Sequence, residues 1–205
     1  MYLKIILFFF AVSCLSCNKH DTKVTEVHEK TTDSKKDQKE KIEQIIKKYS
    51  GTKYDLTQQK ECDLNNDGLT DVILIFANKE DVLSGFPETY IAPIVVLLSS
   101  TSNYIEFCNY NIYPNNFGDY FKQLVVKENY FTIELGNEVP DEYEEKKYVT
   151  FKCENYKVRL HRYGSIINWD EDNTKTERSI TKADFGTIEF EKYSSNTIHE
   201  FMPKK

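Results

Sequence analysis

Glycine is scarce in this chain. Seven glycines among 205 residues leave little room for the glycine-rich loops that cradle phosphates, and neither a phosphate loop nor a dinucleotide fingerprint is present. Alanine is also sparse and there are only two methionines, which argues against a helix-rich fold. Basic charge is not in excess. Acids outnumber bases 33 to 27, for a net charge of −6, and the two signs are interspersed, so there is no nucleic-acid footprint. The four histidines do not assemble a known site. His199-Glu200 lacks the second histidine of a zincin helix, and Tyr163-Gly164-Ser165-Ile166 is not a nucleophile elbow. Of the five cysteines, Cys62, Cys108 and Cys153 lie in the body of the chain. Their number is odd and their spacing is unlike a disulfide scaffold, so at most one pair can form and buried free thiols are the alternative.

What is present points to β structure. Aromatics make up 14 % of the chain, with 14 tyrosines and 13 phenylalanines, residues that suit a pleated, half-buried surface. The length suffices for one domain with a substantial core.

The N-terminus reads as an export signal. Lys4 precedes an apolar run from Ile5 to Val12, which ends in Ser13-Cys14-Leu15-Ser16-Cys17. The run is too short for a spanning helix, which needs about 20 residues. Its ending resembles the lipobox of bacterial lipoproteins, which implies cleavage before a lipidated Cys17; Cys14 is the alternative acceptor, and an ordinary cleaved signal is the other reading. Asn18 follows, where the aspartate that resembles an inner-membrane retention signal would stand, and this implies an outer-membrane anchor. Residues 18–37 are polar and charged, with Val24 and Val27 the apolar exceptions, and read as a disordered tether.

Over residues 38–49 the pattern changes. Ile42, Ile45, Ile46 and Tyr49 fall on one helical face, and Ser50-Gly51 is a stop signal. This predicts a short helix packed on a sheet. The period then becomes two. Asp71–Ala77 and Ile94–Leu98 are apolar almost throughout, as in central strands covered on both faces. Tyr104–Tyr110 is the next strand, and Lys79–Pro93 and Asn111–Asp119 read as loops. Two hairpins follow. The first turns at Glu128-Asn129 and sets Val126 opposite Phe131 and Leu124 opposite Ile133. The second turns at Glu154-Asn155 and sets Val149, Phe151 and Cys153 opposite Leu160, Val158 and Tyr156. Thr150, Lys152, Lys157, Arg159 and His161 then face water. This register pairs His161 with Tyr148 and separates it from Cys153, against a thiol–imidazole dyad. Glu138–Lys147 and Asn168–Thr176 read as charged loops, the second holding Trp169, either a loop anchor or a binding aromatic. Ser179–Thr181 and Gly186–Tyr193 read as a final strand or pair, and residues 194–205 as a frayed tail. The sum is a mainly β, single antiparallel meander-like sheet domain, curled or sandwich-like, spanning residues 38–193 with one short N-terminal helix.

One stretch looks like a chemical site. Cys62-Asp63-Leu64-Asn65-Asn66-Asp67-Gly68-Leu69-Thr70-Asp71 places side-chain oxygens at Asp63, Asn65, Asp67 and Asp71, with a carbonyl available from Leu69. Calcium takes six to eight such oxygens. Gly68 stands where a calcium loop must turn sharply. An EF-hand would carry a bidentate glutamate at position twelve, where this chain has Leu74 inside a strand. The alternative is a metal-free turn, for which Asn-Asn-Asp-Gly is good chemistry on its own.

The nine-residue form, Asp-x-Asn-x-Asp-Gly-x-x-Asp before an apolar strand, resembles the loops of integrin-type propeller repeats and of bacterial lipoproteins that share one such loop. The second resemblance extends loosely over residues 54–193, through Tyr130-Phe131-Thr132-Ile133-Glu134, Tyr148-Val149-Thr150-Phe151-Lys152 and Asp184–Phe190. It implies closure of the site by Asp71, a lipid-anchored address and a β-meander fold. A propeller needs several blades, and the chain holds a single loop.

The functional expectation is a non-enzymatic, lipid-anchored domain of the cell envelope. It binds an envelope protein or glycan and carries one structural Ca2+. An envelope hydrolase using loop carboxylates and a toxin-neutralising, immunity-type lipoprotein are the alternatives.

Overall fold

The computed structural model describes residues 27–51, 53–79, 92–101, 103–113 and 119–202. The export signal with Cys14 and Cys17, residues 18–26 and the greater part of the loop before Pro93 lie outside the described residues. The chain forms two compact units, Met1–Asp37 and Gln38–Lys205. Helix α1 runs from Val27 to Ser50, so it begins before the expected start at Gln38, and residues 27–37 of the expected tether are helical.

The fold is mainly β, with nine strands among the described residues, in two antiparallel sheets. Sheet A is β1 (Tyr54–Cys62), β2 (Asp71–Asn78), β3 (Ile94–Ser99) and β4 (Tyr104–Asn109), each paired with the next. Sheet B is β5 (Tyr120–Lys127), β6 (Tyr130–Val139), β7 (Tyr143–Glu154), β8 (Lys157–Trp169) and β9 (Lys175–Thr181), again in chain order. Both sheets are meanders, and their inner faces share one core.

That core shows why the sequence pattern differs between the sheets. Ile73 and Ile75 of β2 and Ile94, Val96 and Leu98 of β3 pack with Phe131, Ile133, Val149, Phe151 and Leu160 of sheet B. The alternate residues Val72, Leu74, Phe76, Val95 and Leu97 face the other way, and Ile42, Ile45, Ile46 and Tyr49 of α1 cover them. Strands β2 and β3 are therefore buried on both faces, as their unbroken apolar runs demand. Among the described residues, sheet B is covered on one face only. Its strands alternate, and Thr132, Glu134, Tyr148 and Thr150 stay partly exposed.

Hairpin β5–β6 has the expected register, Val126 opposite Phe131 and Leu124 opposite Ile133. Hairpin β7–β8 does not. Its turn is Asn155-Tyr156, both with positive φ (51° and 53°), and Cys153 pairs with Val158 and Phe151 with Leu160. The tip lies one residue later than expected, so the pairings next to it shift by two and those beyond the bulge at His161 by three: Val149 faces Tyr163 in place of the expected Leu160. Asparagine tolerates the left-handed region, and a two-residue hairpin turn of this kind requires it of Tyr156 as well. Beyond the tip, His161 is the extra residue of a bulge between the Phe151–Leu160 and Thr150–Arg162 pairs.

The charged segment Glu138–Lys147 is mostly strand: β6 and β7 continue to a tight turn at Pro140-Asp141-Glu142. In Asn168–Thr176 the acidic residues Asp170, Glu171 and Asp172 lie in the turn between β8 and β9, at residues 170–174, and the flanking residues belong to the strands. Gly186–Tyr193 is not a strand. It holds a single bridge, Arg159 to Glu189, and a 3-10 turn at Phe190–Lys192. The segment after Ser194 turns helical at Ser195–Ile198 and buries Ile198 in the core. Asn109 anchors this end: its side-chain amide donates to the carbonyl of Tyr193 at 2.9 Å and to that of Phe190.

Candidate functional site

The loop between β1 and β2 holds Asp63, Asn65, Asp67 and Leu69 of the residues expected to bind metal, and Asp71 is the first residue of β2. Cys62 and Asp71 are the last pair of the β1–β2 ladder, so Asp63 to Thr70 is the connection itself. Leu64 anchors it, fully buried in the core between the sheets. Asn66 (φ 58°) and Gly68 (φ 81°) take left-handed backbone, which glycine does without strain and asparagine at little cost.

The polar side chains fold onto the loop's own backbone. Asp63 accepts the N–H groups of Asp67 (3.1 Å) and Gly68 (2.9 Å). Asn65 Oδ1 accepts the Asp67 N–H at 3.1 Å, and Asp67 Oδ1 accepts that of Leu69 at 2.8 Å. Asp67 Oδ2 receives the Asn65 side-chain amide (2.8 Å) and the Tyr156 hydroxyl (2.9 Å). Desolvation pushes Asp67 up, but the Leu69 N–H, the Asn65 amide and the Tyr156 hydroxyl outweigh it, and its carboxyl lies below the ordinary range.

Asp71 has a different environment. It is fully buried, and its two oxygens accept the N–H groups of Leu64 and Ser99, both at 2.7 Å. Desolvation raises its pKa; the Ser99 and Leu64 N–H groups oppose this, and the charge of Asp67 adds to it. Asp71 thus ties the loop to the end of β3.

The structure brings Asp63, Asn65 and Asp67 into one hydrogen-bonded group and places Asp71 at its base, turned towards buried N–H groups. Among the described residues, no three acidic, thiol or imidazole side chains gather as a metal site. The donors are all oxygen, as calcium requires, and the loop backbone is already curled around them. Convergence on an ion would take side-chain rotation, principally of Asp67.

Two features near this loop escaped sequence reasoning. Tyr156 reaches it from the β7–β8 turn, because that turn falls one residue later than the Glu-Asn signal suggests. Strand β1, Tyr54–Cys62, is polar at most positions and lacks clear alternation, although its antiparallel partner β2 is legible.

Other expected features fall as follows. Cys62, Cys108 and Cys153 are free thiols. Cys153 points into the core, while His161 is exposed on the opposite face of sheet B, its ring 4.8 Å from that of Tyr130; the two form no dyad. Trp169 ends β8, donates Nε1–H to Thr176 at 3.3 Å and packs on Tyr143 at 5.5 Å. It borders an open hollow with Asp141, Asp170, Glu171 and Asp172. Within the core, Lys147 bonds both oxygens of Asp119, at 2.8 and 2.7 Å, and lies 3.3 Å from Glu145.

A mainly β domain of two stacked antiparallel sheets, with a helix on the outer face of the first, is the class these features define. Comparison with protein-family models, curated proteins and solved structures finds no match.

Proposed function

We propose that the chain is a lipid-anchored binding domain of the cell envelope whose Asp63–Asp71 loop takes one calcium ion as a structural brace. The observation that carries the calcium reading is the shape of the loop. Its backbone is curled by Asn66 and Gly68 and presents Asp63, Asn65 and Asp67 at alternate positions, directly before a buried strand. Asp63, Asn65, Asp67 and Asp71 supply side-chain oxygens and Leu69 its carbonyl. The ion neutralises clustered carboxylates and stiffens the connection that launches β2.

The envelope address rests on the apolar run Ile5–Val12 and on Cys17 as the lipidated residue. The anchor is placed in the outer membrane, and the partner is an envelope protein or a glycan.

Calorimetric titration of the full chain in detergent with calcium tests the first part. Saturable heat that disappears in Asp63→Ala supports it; no heat at millimolar calcium overturns it. Labelling of the expressed chain with a fatty-acid probe tests the second. Loss of label in Cys17→Ser, with retention in Cys14→Ser, supports the anchor at Cys17.

A further inference from the structure

The outer face of sheet B is open and carries a trough of about 550 Å³. Two cross-strand rows form it. One runs Val125, Thr132, Thr150, Arg162, and the other Glu134, Tyr148, Gly164, Ser179. All point away from the core. Gly164 has no side chain, so the second row dips beside Tyr148 and leaves a notch in the floor.

The polar groups of this trough are held in place. The hydroxyls of Thr132 and Thr150 lie 2.9 Å apart. Arg162 donates Nε–H to the Ser179 hydroxyl at 2.8 Å. Glu134 accepts from Gln123 at 2.7 Å, and Glu177 at the rim is bound by Lys175. Both carboxylates of the trough are therefore engaged by neighbours; Arg162 forms no ion pair among the described residues, although its charge adds to the hydrogen bond and charge of Lys175 that hold the Glu177 carboxyl below the ordinary range. The bulge at His161 contributes to this: it turns Arg162 outwards, in line with Thr150.

Arginine usage sharpens the point. The chain has three arginines, Arg159, Arg162 and Arg178, and all stand on β8 and β9. A protein that otherwise uses lysine places two of these planar, fork-shaped cations, Arg162 and Arg178, in the lining of the trough. Such a guanidinium recognises a carboxylate or sulfate through paired hydrogen bonds. Hydroxyls on a rigid sheet recur at about 4.8 Å between strands, and a half-exposed tyrosine ring offers a flat apolar surface. Hydroxyl-rich, flat-faced and anionic together describe an acidic sugar.

We propose that this trough binds an acidic saccharide, with Arg162 on the acidic group, the Thr132–Thr150 pair and Ser179 on ring hydroxyls, and Tyr148 against a sugar face. This names a ligand class for the binding role above and rests on that role. It is independent of the calcium loop, so the two can fail separately.

The experiment is a calorimetric or NMR titration of the full chain in detergent, in the presence of a chelator, so that loss of calcium does not enter. The probes are a hyaluronan hexasaccharide and, as the neutral counterpart, chitohexaose. Saturable binding of the acidic probe at least about tenfold tighter than of the neutral one is expected. Arg162→Gln should remove about tenfold or more, Arg162→Lys should recover only part of it, and Thr150→Val should cost a few-fold. The melting temperature should stay within about 2 °C in the arginine variants, because the side chain is exposed. Equal binding of both probes, unchanged binding in Arg162→Gln, or no binding of the acidic probe at 10 mM (about the weakest affinity worth the name) overturns the proposal.

Discussion

The hydroxyl of Tyr156 donates to Asp67 at 2.9 Å across 89 positions of sequence. This contact joins the tip of the β7–β8 hairpin in sheet B to the β1–β2 loop of sheet A. The left-handed backbone of Tyr156 (φ 53°), like that of Asn155 (φ 51°), is what a tight two-residue hairpin turn demands, and it aims the ring at the loop. Hydrogen bonding to Asp67 is the main cause that raises the Tyr156 phenol pKa, with slight desolvation next.

Substituting Tyr156→Phe should raise the Asp67 pKa, since one of three groups favouring its ionised form is removed. The sign for stability follows. Asp67 has a depressed pKa when folded, so its contribution is present above the unfolded value and is lost as pH falls through the folded one. The variant should show a smaller loss of melting temperature on acidification than the parent. A carbon-detected NMR titration of the Asp67 carboxyl checks the shift directly; no upward movement would contradict the contact.

Asp71 should show the opposite pH dependence. Its folded pKa is raised, chiefly by burial, so the folded state disfavours its ionised form. Its contribution is most favourable below the unfolded pKa and is eroded as pH rises through the folded one. Asp71→Asn replaces one acceptor with an amide donor that confronts the N–H of Leu64 or Ser99, and should cost about 1–3 kcal/mol near pH 4. The deficit should narrow as pH rises. Urea denaturation of both proteins from pH 4 to 8 would show it, and a deficit that widens with pH would be inconsistent with the raised pKa.

Calcium should stabilise the fold. For an ion bound only by the native state, a concentration 100-fold above the dissociation constant adds about 2.7 kcal/mol, a rise of roughly 5–10 °C in melting temperature for a domain of this size. The rise should vanish in Asp63→Ala. A scan with and without calcium that shows the same rise in both proteins would place the ion elsewhere.

The buried ion pair is the most sensitive polar site of the core. Lys147 is 4 % exposed and Asp119 is fully buried, so Lys147→Met strands a carboxylate inside the protein. A cost of about 3–5 kcal/mol is expected. Adding Asp119→Asn should recover part of it, because the uncompensated charge is gone. Chemical denaturation of the single and double variants tests this, and additive losses would refute it.

The thiols should be inert in the folded state. Burial, together with the charges of Asp71, Asp67 and Asp63, pushes Cys153 up to about 12; burial and Asp71 push Cys62 up to about 11. Little thiolate exists at neutral pH. Iodoacetamide at pH 7.5 should label neither residue in the native domain and both once it is unfolded, as mass spectrometry would show.

Much of this fold is legible along the chain. The runs of β2 and β3 announce strands covered on both sides, and the isoleucine stripe of α1 matches the face that covers one of them. The first hairpin is readable to the residue, since its turn and its alternation agree. The second is misread because Glu-Asn-Tyr stands at both bends, yet the turn falls at Glu128-Asn129 in the first and at Asn155-Tyr156 in the second, so the local signal does not fix the tip. The helix beginning at Val27 and the burial of Ile198 escape notice for a related reason: polar or isolated apolar residues carry no local period.

The oxygen ligands of the loop, their spacing and the glycine that bends it are properties of the sequence alone, because adjacent backbone sets the distance between alternate side chains. The same holds for the β class and the two central strands, where period and residue type suffice. Only the tertiary structure decides that Asp71 is buried against Ser99, that Tyr156 reaches Asp67 and that Arg162 stands beside a threonine row with its Nε–H on Ser179. Each of these depends on the registers of the strands and on how the two sheets meet, and both are set by long-range packing.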